Sequence, residues 1–167
     1  IFPAKAFMVP EGRRENAFKA IRKELKERLP TLGVIESYRL KQRTEYDLEM
    51  IEQLGYCKGI ENYSRHFDNR LVGSHPFTLI DYFQYTFHDD WMMFIDESHA
   101  TIPQVRGMYE GDKSRKKNLV DYGFRLPSAF DNRPLMFGEF EKYLKHVVYV
   151  SATPGSYELQ SSENIVE

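Results

Sequence analysis

Four consecutive side chains that can do chemistry follow the apolar run "MMFI" at residues 92–95. They supply two carboxylates, a hydroxyl and an imidazole, from Asp96, Glu97, Ser98 and His99. A second apolar run, "VVYV" at 147–150, leads directly into "SATPG", which contributes the hydroxyls of Ser151 and Thr153. Ligands of open α/β sheets gather at the carboxyl ends of parallel strands, so we expect both clusters to line one binding site.

An apolar strand that ends in Asp-Glu has the form of a Walker B element. Phosphoryl transfer needs a metal ion that neutralises charge on the β,γ-phosphate oxygens, and a separate group that positions the attacking water. The pattern predicts that Asp96 helps to hold Mg²⁺ and that Glu97 orients or deprotonates the water. Taken alone it leaves a purely structural strand-to-loop junction equally open, but "SATPG" later in the chain favours the nucleotide site.

Composition limits the class of protein but does not identify its function. With 167 residues, of which 41% are hydrophobic, the chain can form one ordinary core or two small lobes. The single cysteine, Cys57, excludes an internal disulfide and any multi-cysteine zinc site, which favours the reducing cytoplasm. No apolar run reaches the length of a membrane span, and a net charge of −2 leaves nucleic acid open as a ligand.

Periodicity divides the chain into three predicted regions. Residues 1–10 alternate like a strand already under way, which suggests a piece cut from a larger protein. Residues 11–90 form a helical and loop-rich subdomain, with helices through Phe18, Ile21, Leu25 and Leu29 and from about 35 to 54, and a loop-rich part from 56 to about 90. Residues 91–167 alternate strand, helix and strand, which predicts a buried parallel α/β sheet.

Within the third region, a Gly/Arg-rich loop is expected from Ile102 to Ser114, and a helix at about Phe137 to Lys145. Gly55 is expected to stop the second helix of the preceding region.

Longer strings in the chain carry a specific resemblance. "DESH" followed by "SATPG" matches the motif II and motif III pair of superfamily 2 helicases. "QRTEYDLEMIEQLGYCKGIENYSRHF" and "RGMYEGDKSRKKNLVDYGFRLPSAFDNRPL" resemble the UvrB family, which belongs to the bacterial UvrABC excinuclease. The resemblance covers about residues 1–159. It departs locally at "QYTFHDDW" (84–91) and around 30–38, and neither departure touches the motifs.

The resemblance implies a partial RecA-like parallel-sheet lobe, with motifs II and III in 91–167, to which the helical and loop-rich subdomain is attached. It implies ATP and Mg²⁺ as cofactors, with Asp96 holding the metal through water and Glu97 positioning the hydrolytic water. It also assigns three nucleotide-linked residues that couple the nucleotide state to movement between lobes and to DNA: His99, Ser151 and Thr153.

The same resemblance implies damaged DNA, UvrA and UvrC as partners of the whole protein, in nucleotide excision repair and the SOS response. Family DNA contacts map to Arg43, Glu61 and Arg125. Three neighbours are added on chemistry, because aromatic rings stack on bases and arginine pairs with phosphate: Tyr56, Tyr63 and Arg65.

One expected part of an ATP site is missing from the sequence. No glycine is followed by lysine, so the chain contains no G-x-x-x-x-G-K-[ST] phosphate cradle. We therefore expect the 167 residues alone not to hydrolyse ATP. Two alternatives stay open: a non-catalytic DNA- or protein-interaction module, and part of another superfamily 2 helicase.

Overall fold

The computed structural model describes residues 11–166, except for the side chain of Glu11, and the strand predicted within 1–10 lies outside this range. The α-helices of the described chain are α1 (Glu11–Arg28), α2 (Val34–Leu54), α3 (Ser64–Phe67), α4 (Leu79–Phe87), α5 (Ser98–Asp121), α6 (Phe137–Phe140) and α7 (Ser156–Ser161). The strands are β1 (Met93–Ile95) and β2 (Val147–Tyr149). Short 3₁₀ turns occupy Leu29–Thr31, Ile60–Tyr63, Pro127–Asp131 and Glu141–Tyr143. Every helix in the described range is too short or too polar to span a bilayer.

The chain divides into two compact units, each of which is discontinuous in sequence. Within residues 11–166, unit 1 contains residues 11–76 and Asp112–Arg133, and unit 2 contains Phe77–Gly111 and residues 134–166. The regions predicted from the sequence, 11–90 and 91–167, are each continuous and so do not coincide with these units. Because a compact unit need not coincide with a functional domain, the predicted functional division stays a prediction.

The core of unit 1 is built on the two predicted helices, and both predictions are confirmed. Phe18, Ile21 and Leu25 of α1 are buried, as their helical spacing requires. Helix α2 ends at Gly55, whose φ of 73° places it in the left-handed region that glycine adopts without steric cost. Buried side chains from both helices and the following turns share one cluster: Ala17, Phe18, Ile21, Leu25, Leu40, Leu48, Ile51, Cys57, Ile60, Tyr63, Phe67 and Leu126.

The prediction of a loop from Ile102 to Ser114 is wrong, because these residues belong to the 24-residue helix α5. Gly107 and Gly111 each disfavour a helix by about 1 kcal/mol relative to alanine. Burial outweighs this local cost, since Ile102 near the start of the helix and Val120 near its end are both buried. Tertiary packing thus overrides the glycine signal.

The region predicted as loop-rich, from 56 to about 90, contains helix α4, which the prediction did not identify. A capping box starts the helix: Thr78 accepts a hydrogen bond from the backbone N–H of Asp81, and the Asp81 carboxylate accepts one from the Thr78 N–H. The helix predicted from Phe137 to Lys145 is also shorter than expected. The α-helix ends at Phe140, and a 3₁₀ turn follows it.

Unit 2 contains the two predicted strands, which pair in parallel. Met93 lies opposite Val147, and Ile95 lies opposite Tyr149. Ile95 is buried, but the Phe94 side chain is 68% exposed. The expectation of strands buried on both faces is therefore wrong for the described residues, because helices of unit 2 cover one face of this two-stranded sheet and Phe94 lies on the other.

Candidate functional site

Parallel pairing of β1 and β2 brings the two polar clusters to the same end of the sheet. The backbone N–H of Val150 donates to the carbonyl oxygen of Ile95 at 2.9 Å, and the N–H of Ser98 donates to the carbonyl of Val150 at 3.1 Å. The ladder therefore continues past both strands into the two turns. The expectation that Asp96 and Ser151 follow neighbouring strand ends agrees with this register.

Side chains join the two clusters directly. His99 Nδ1 lies 2.8 Å from Ser151 Oγ, although the two residues are 52 positions apart. The backbone N–H of Thr153 donates to the same Ser151 oxygen at 3.1 Å. His99 Nδ1 also lies 3.4 Å from Glu97 Oε2, so the imidazole stands between a carboxylate of the first cluster and a hydroxyl of the second.

A sharp turn places the two carboxylates ahead of α5. Glu97 has a φ of 45°, which a residue with a side chain rarely adopts. Its carbonyl oxygen accepts from the N–H groups of Ala100 and Thr101, while its own N–H donates to Asp96 Oδ1 at 2.9 Å. Asp96 and Glu97 are exposed. Strained backbone of this kind concentrates at functional sites.

A buried carboxylate that the sequence analysis missed supports this turn. Ser98 is fully buried, and its hydroxyl donates to Glu158 Oε1 at 3.0 Å. Burial by itself would raise the pKa of Glu158, but hydrogen bonds from backbone N–H groups and from Ser98 lower it below the usual value. Helix α7 is thereby tied to the first turn of α5. No local pattern marks Glu158, because its partner is 60 positions away.

The donor set at the strand ends fits magnesium. Mg²⁺ takes oxygen ligands, keeps several waters, and is commonly held by one or two carboxylates together with substrate phosphates. Asp96 and Glu97 are exposed carboxylates of this kind. Among the residues that the structure describes, no cluster of three or more His, Cys, Asp or Glu side chains could hold a metal by itself. A metal at this site would therefore depend on water and phosphate for most of its ligands.

Four of the six predicted DNA-contact residues lie around one loop of unit 1. Arg43 donates to the carbonyl of Lys58 at 2.7 Å, and a side chain added at Gly59 would collide with the Arg125 guanidinium. Glu61 follows in the next turn, and Tyr56 at the start of the loop is 55% exposed. Burial raises the pKa of the Cys57 thiol at the centre of this group to about 12, with a further increase from Asp47.

The other two predicted DNA contacts are held inside unit 1. Tyr63 is 3% exposed, and its hydroxyl donates to the buried carboxylate of Asp47 at 2.9 Å. The guanidinium of Arg65 pairs with Asp131 at 2.7 Å and with Glu24 at 3.4 Å. The Tyr63 ring is thus packed away from a base, and the Arg65 charge is already compensated by carboxylates.

Comparison with known proteins finds that the chain is similar to UvrABC system protein B of several organisms. Residues 12–69 match the model of the UvrB third helical domain. Over 167 residues the chain is 62% identical to UvrABC system protein B of Methanosarcina mazei and 59% identical to that of Methanococcus maripaludis. Over 171 aligned residues it is 57% identical to UvrABC system protein B of Thermotoga neapolitana.

These alignments include all of this chain but only 24% of the M. mazei relative and 25% of the other two. The chain therefore spans about a quarter of the length of the curated relatives it matches.

Proposed function

The chain belongs to the UvrB family, and we propose that it supplies the metal and water side of an ATP site, together with DNA contacts, to a protein of nucleotide excision repair. The contact between His99 and Ser151, at 2.8 Å, is the observation that carries this proposal. It joins the "DESH" turn to the "SATPG" turn, which are the two sequence clusters expected to act on one nucleotide.

The proposed lobe is RecA-like. Parallel pairing of β1 and β2 supports this assignment, as does the placement of α5 and α6 between them in sequence. Asp96 and Glu97 then follow the carboxyl end of β1, where ligands of such sheets bind. The assignment predicts that further parallel strands of the whole protein pair with β1 or β2.

Within the proposed ATP site, the two acids have separate tasks. Asp96 would hold Mg²⁺ through water, and Glu97 would orient the attacking water and accept its proton. Mg²⁺ supplies neutralisation of charge on the β,γ-phosphate oxygens when it is bound. His99 contacts both Glu97 and Ser151, so a change at the Glu97 carboxylate can reach the "SATPG" turn and Thr153.

The proposed DNA interface is the loop of unit 1 with its flanking arginines. Arg43, Tyr56, Glu61 and Arg125 form this surface. Tyr63 and Arg65 are excluded from it, because burial and carboxylate pairing keep them from a ligand. Damaged DNA, UvrA and UvrC are the partners we propose for the whole protein, and the cytoplasm is its proposed location.

Glu97→Gln in the full-length protein that carries this chain tests the ATP site. Gln keeps the size and polarity of the side chain but cannot accept the proton. We expect ATP hydrolysis to fall by at least about a hundredfold, while the Kd of a non-hydrolysable ATP analogue changes little. Hydrolysis at the normal rate would contradict the proposal and favour a non-catalytic interaction module.

Glu110→Gln is the matched control, since Glu110 is an exposed carboxylate farther along α5 and should leave hydrolysis unchanged. The isolated 167 residues are the second control. Because their sequence contains no G-x-x-x-x-G-K-[ST] cradle, we expect no Glu97-dependent hydrolysis from them. Such activity would show that the chain carries a complete site.

A further inference from the structure

A groove runs along the N-terminal half of α2 in unit 1. This α2 groove is open to solvent, has a volume of about 520 Å³ and is lined by Ile35, Tyr38, Arg39, Gln42, Arg43 and Tyr46. The positions recur at three- and four-residue steps, so they form one stripe on the helix surface. Only Arg43 among them belongs to the proposed DNA interface.

The α2 groove exposes two large aromatic side chains. The side chain of Tyr38 is 64% exposed and that of Tyr46 is 57% exposed. Gln42 lies between them and donates its side-chain N–H to the Tyr38 hydroxyl at 2.7 Å, which restricts the orientation of that ring. Two exposed rings on one helix face, one of them held by a hydrogen bond, are a suitable platform for flat ligands.

The charge in the α2 groove is positive. Its lining contains two guanidinium groups and no carboxylate. Arg39 stacks over the Phe124 ring at 4.4 Å and donates to the carbonyl of Tyr122 at 2.7 Å, and within residues 11–166 it forms no ion pair. Arg43 is partly compensated by Asp47 at 2.9 Å. Arg39 is therefore the stronger of the two sites for an anion.

Spacing along the helix defines the ligand further. Tyr38 and Tyr46 are eight positions apart, which corresponds to about 12 Å along an α-helix. Stacked nucleotides rise about 3.4 Å each, so three to four of them span this distance. Exposed aromatic rings beside arginines are the combination by which proteins bind unpaired bases and their phosphates.

We propose that the α2 groove binds single-stranded DNA, with bases stacked on Tyr38 and Tyr46 and a phosphate paired with Arg39. The inference rests on the DNA part of the proposed function, and it extends that interface along α2 from the shared residue Arg43. A duplex fits less well, because its base faces are already stacked on each other. The ligand class is thus a strand of at least three to four unpaired nucleotides.

Fluorescence anisotropy with a labelled 12-nucleotide single strand tests the inference on the 167-residue chain. Tyr38→Ala and Tyr46→Ala should each weaken binding by at least about fivefold, whereas Tyr46→Phe keeps the ring and should bind almost normally. Arg39→Ala should reduce the slope of log Kd against log salt by about 0.7, as expected for one lost phosphate contact. Circular dichroism at 222 nm confirms that each variant is folded.

Tyr85→Ala is the matched control, because Tyr85 on α4 is 85% exposed and lies outside the α2 groove. Its affinity should equal that of the unaltered chain. If Arg43→Ala weakens binding but both tyrosine-to-alanine variants bind normally, the inference is overturned and the proposed DNA interface stands. The inference would also be overturned if Tyr38→Ala and Tyr46→Ala weakened the binding of a duplex of the same sequence as much as that of the single strand.

If the folded chain binds no single strand at all, both the inference and the DNA part of the proposed function fail. The ATP-site proposal is judged separately, by Glu97→Gln.

Discussion

At the scale of single residues, Glu97 combines a proposed chemical role with an unfavourable backbone. Its φ of 45° places a residue with a side chain in the left-handed region. The strain is compensated by neighbouring hydrogen bonds, in which the Glu97 carbonyl accepts from Ala100 and Thr101. A carboxylate at this position is therefore retained at a cost to stability, as is common where function dictates the side chain.

This strain can be measured by comparing two substitutions that both remove the carboxylate. Glu97→Gly should be more stable than Glu97→Ala by about 1 kcal/mol, because glycine adopts positive φ without the steric cost that alanine keeps. Urea unfolding of both variants measures the difference. Equal stability, or a more stable alanine variant, would show that the turn relaxes to ordinary backbone angles.

The six predicted DNA contacts also differ in burial. Tyr63 and Arg65 have the chemistry for base and phosphate contacts. In the structure, the Tyr63 hydroxyl instead donates a hydrogen bond to Asp47, and the Arg65 guanidinium donates one to Asp131. Those partners lie 16 and 66 positions away, so no local reading of the sequence separates these two residues from the exposed Tyr56 and partly exposed Arg125.

At the scale of elements, Gly123 and Gly107 occupy contrasting backbone environments. Gly123 has a φ of 69°, and a Cβ there would overlap the backbone carbonyl of Glu36. Gly107 lies inside α5 with open space around the position of a Cβ. The first glycine permits a turn and a close approach of two segments of unit 1. The second is simply a weak helix residue.

Alanine at each position should therefore change stability in opposite directions. Gly107→Ala should raise the free energy of unfolding by about 0.5–1 kcal/mol, through better helix propensity and a less flexible unfolded chain. Gly123→Ala should lower it by more than about 1 kcal/mol, because both φ and the space are unsuitable. Urea unfolding measures both values, and a stabilising Gly123→Ala would contradict the close approach.

Helix α7 and the first turn of α5 are joined by the buried pair of Glu158 and Ser98. Glu158→Ala leaves the Ser98 hydroxyl buried without its acceptor, which should cost about 1–3 kcal/mol of stability. Glu158→Gln keeps an acceptor oxygen and should cost less. Chemical unfolding compares the two, with the exposed Glu163→Ala as control. Equal costs for alanine and glutamine would argue against the hydrogen bond.

At the scale of the whole molecule, long-range polar contacts join the discontinuous segments of unit 1. Glu24 on α1 accepts a hydrogen bond from the backbone N–H of Ser128 at 2.7 Å and contacts His66 Nε2 at 2.6 Å. Asp131 pairs with Arg65 and accepts from the N–H of Gly73 at 2.8 Å. Residues 127–131 are thus fixed to α1, to α3 and to the loop that follows it.

The Glu24 contacts make stability depend on pH. Burial alone would raise the pKa of Glu24, but hydrogen bonds with His66 and Ser128 hold it below the usual value. A carboxyl group with a lowered pKa stabilises the fold above its ordinary pKa, and this stabilisation is lost as pH falls through the lowered value. Unfolding free energies between about pH 5 and pH 3 should therefore fall less steeply for Glu24→Gln than for the unaltered chain.

Glu27→Gln, one turn along α1 and exposed, should keep the original pH dependence. If the unfolding free energy of Glu24→Gln depends on pH in the same way as that of the unaltered chain, Glu24 is not the source of the pH dependence.

Sequence alone determined the features that depend on neighbours a few positions apart. The spacing of Phe18, Ile21 and Leu25 fixes the buried side of α1, and Gly55 fixes the end of α2. The two apolar runs form the paired strands, and the polar clusters follow them. Period and turn chemistry are local properties, which is why they can be read along the chain.

Tertiary structure alone decided the features that depend on residues far apart in sequence. It joined His99 to Ser151 and Ser98 to Glu158, and it kept α5 helical through two glycines. It also buried Tyr63 while leaving Tyr38 and Tyr46 exposed along α2. Burial and pairing of this kind depend on which distant segments pack together, and that information is not contained in any short stretch of the sequence.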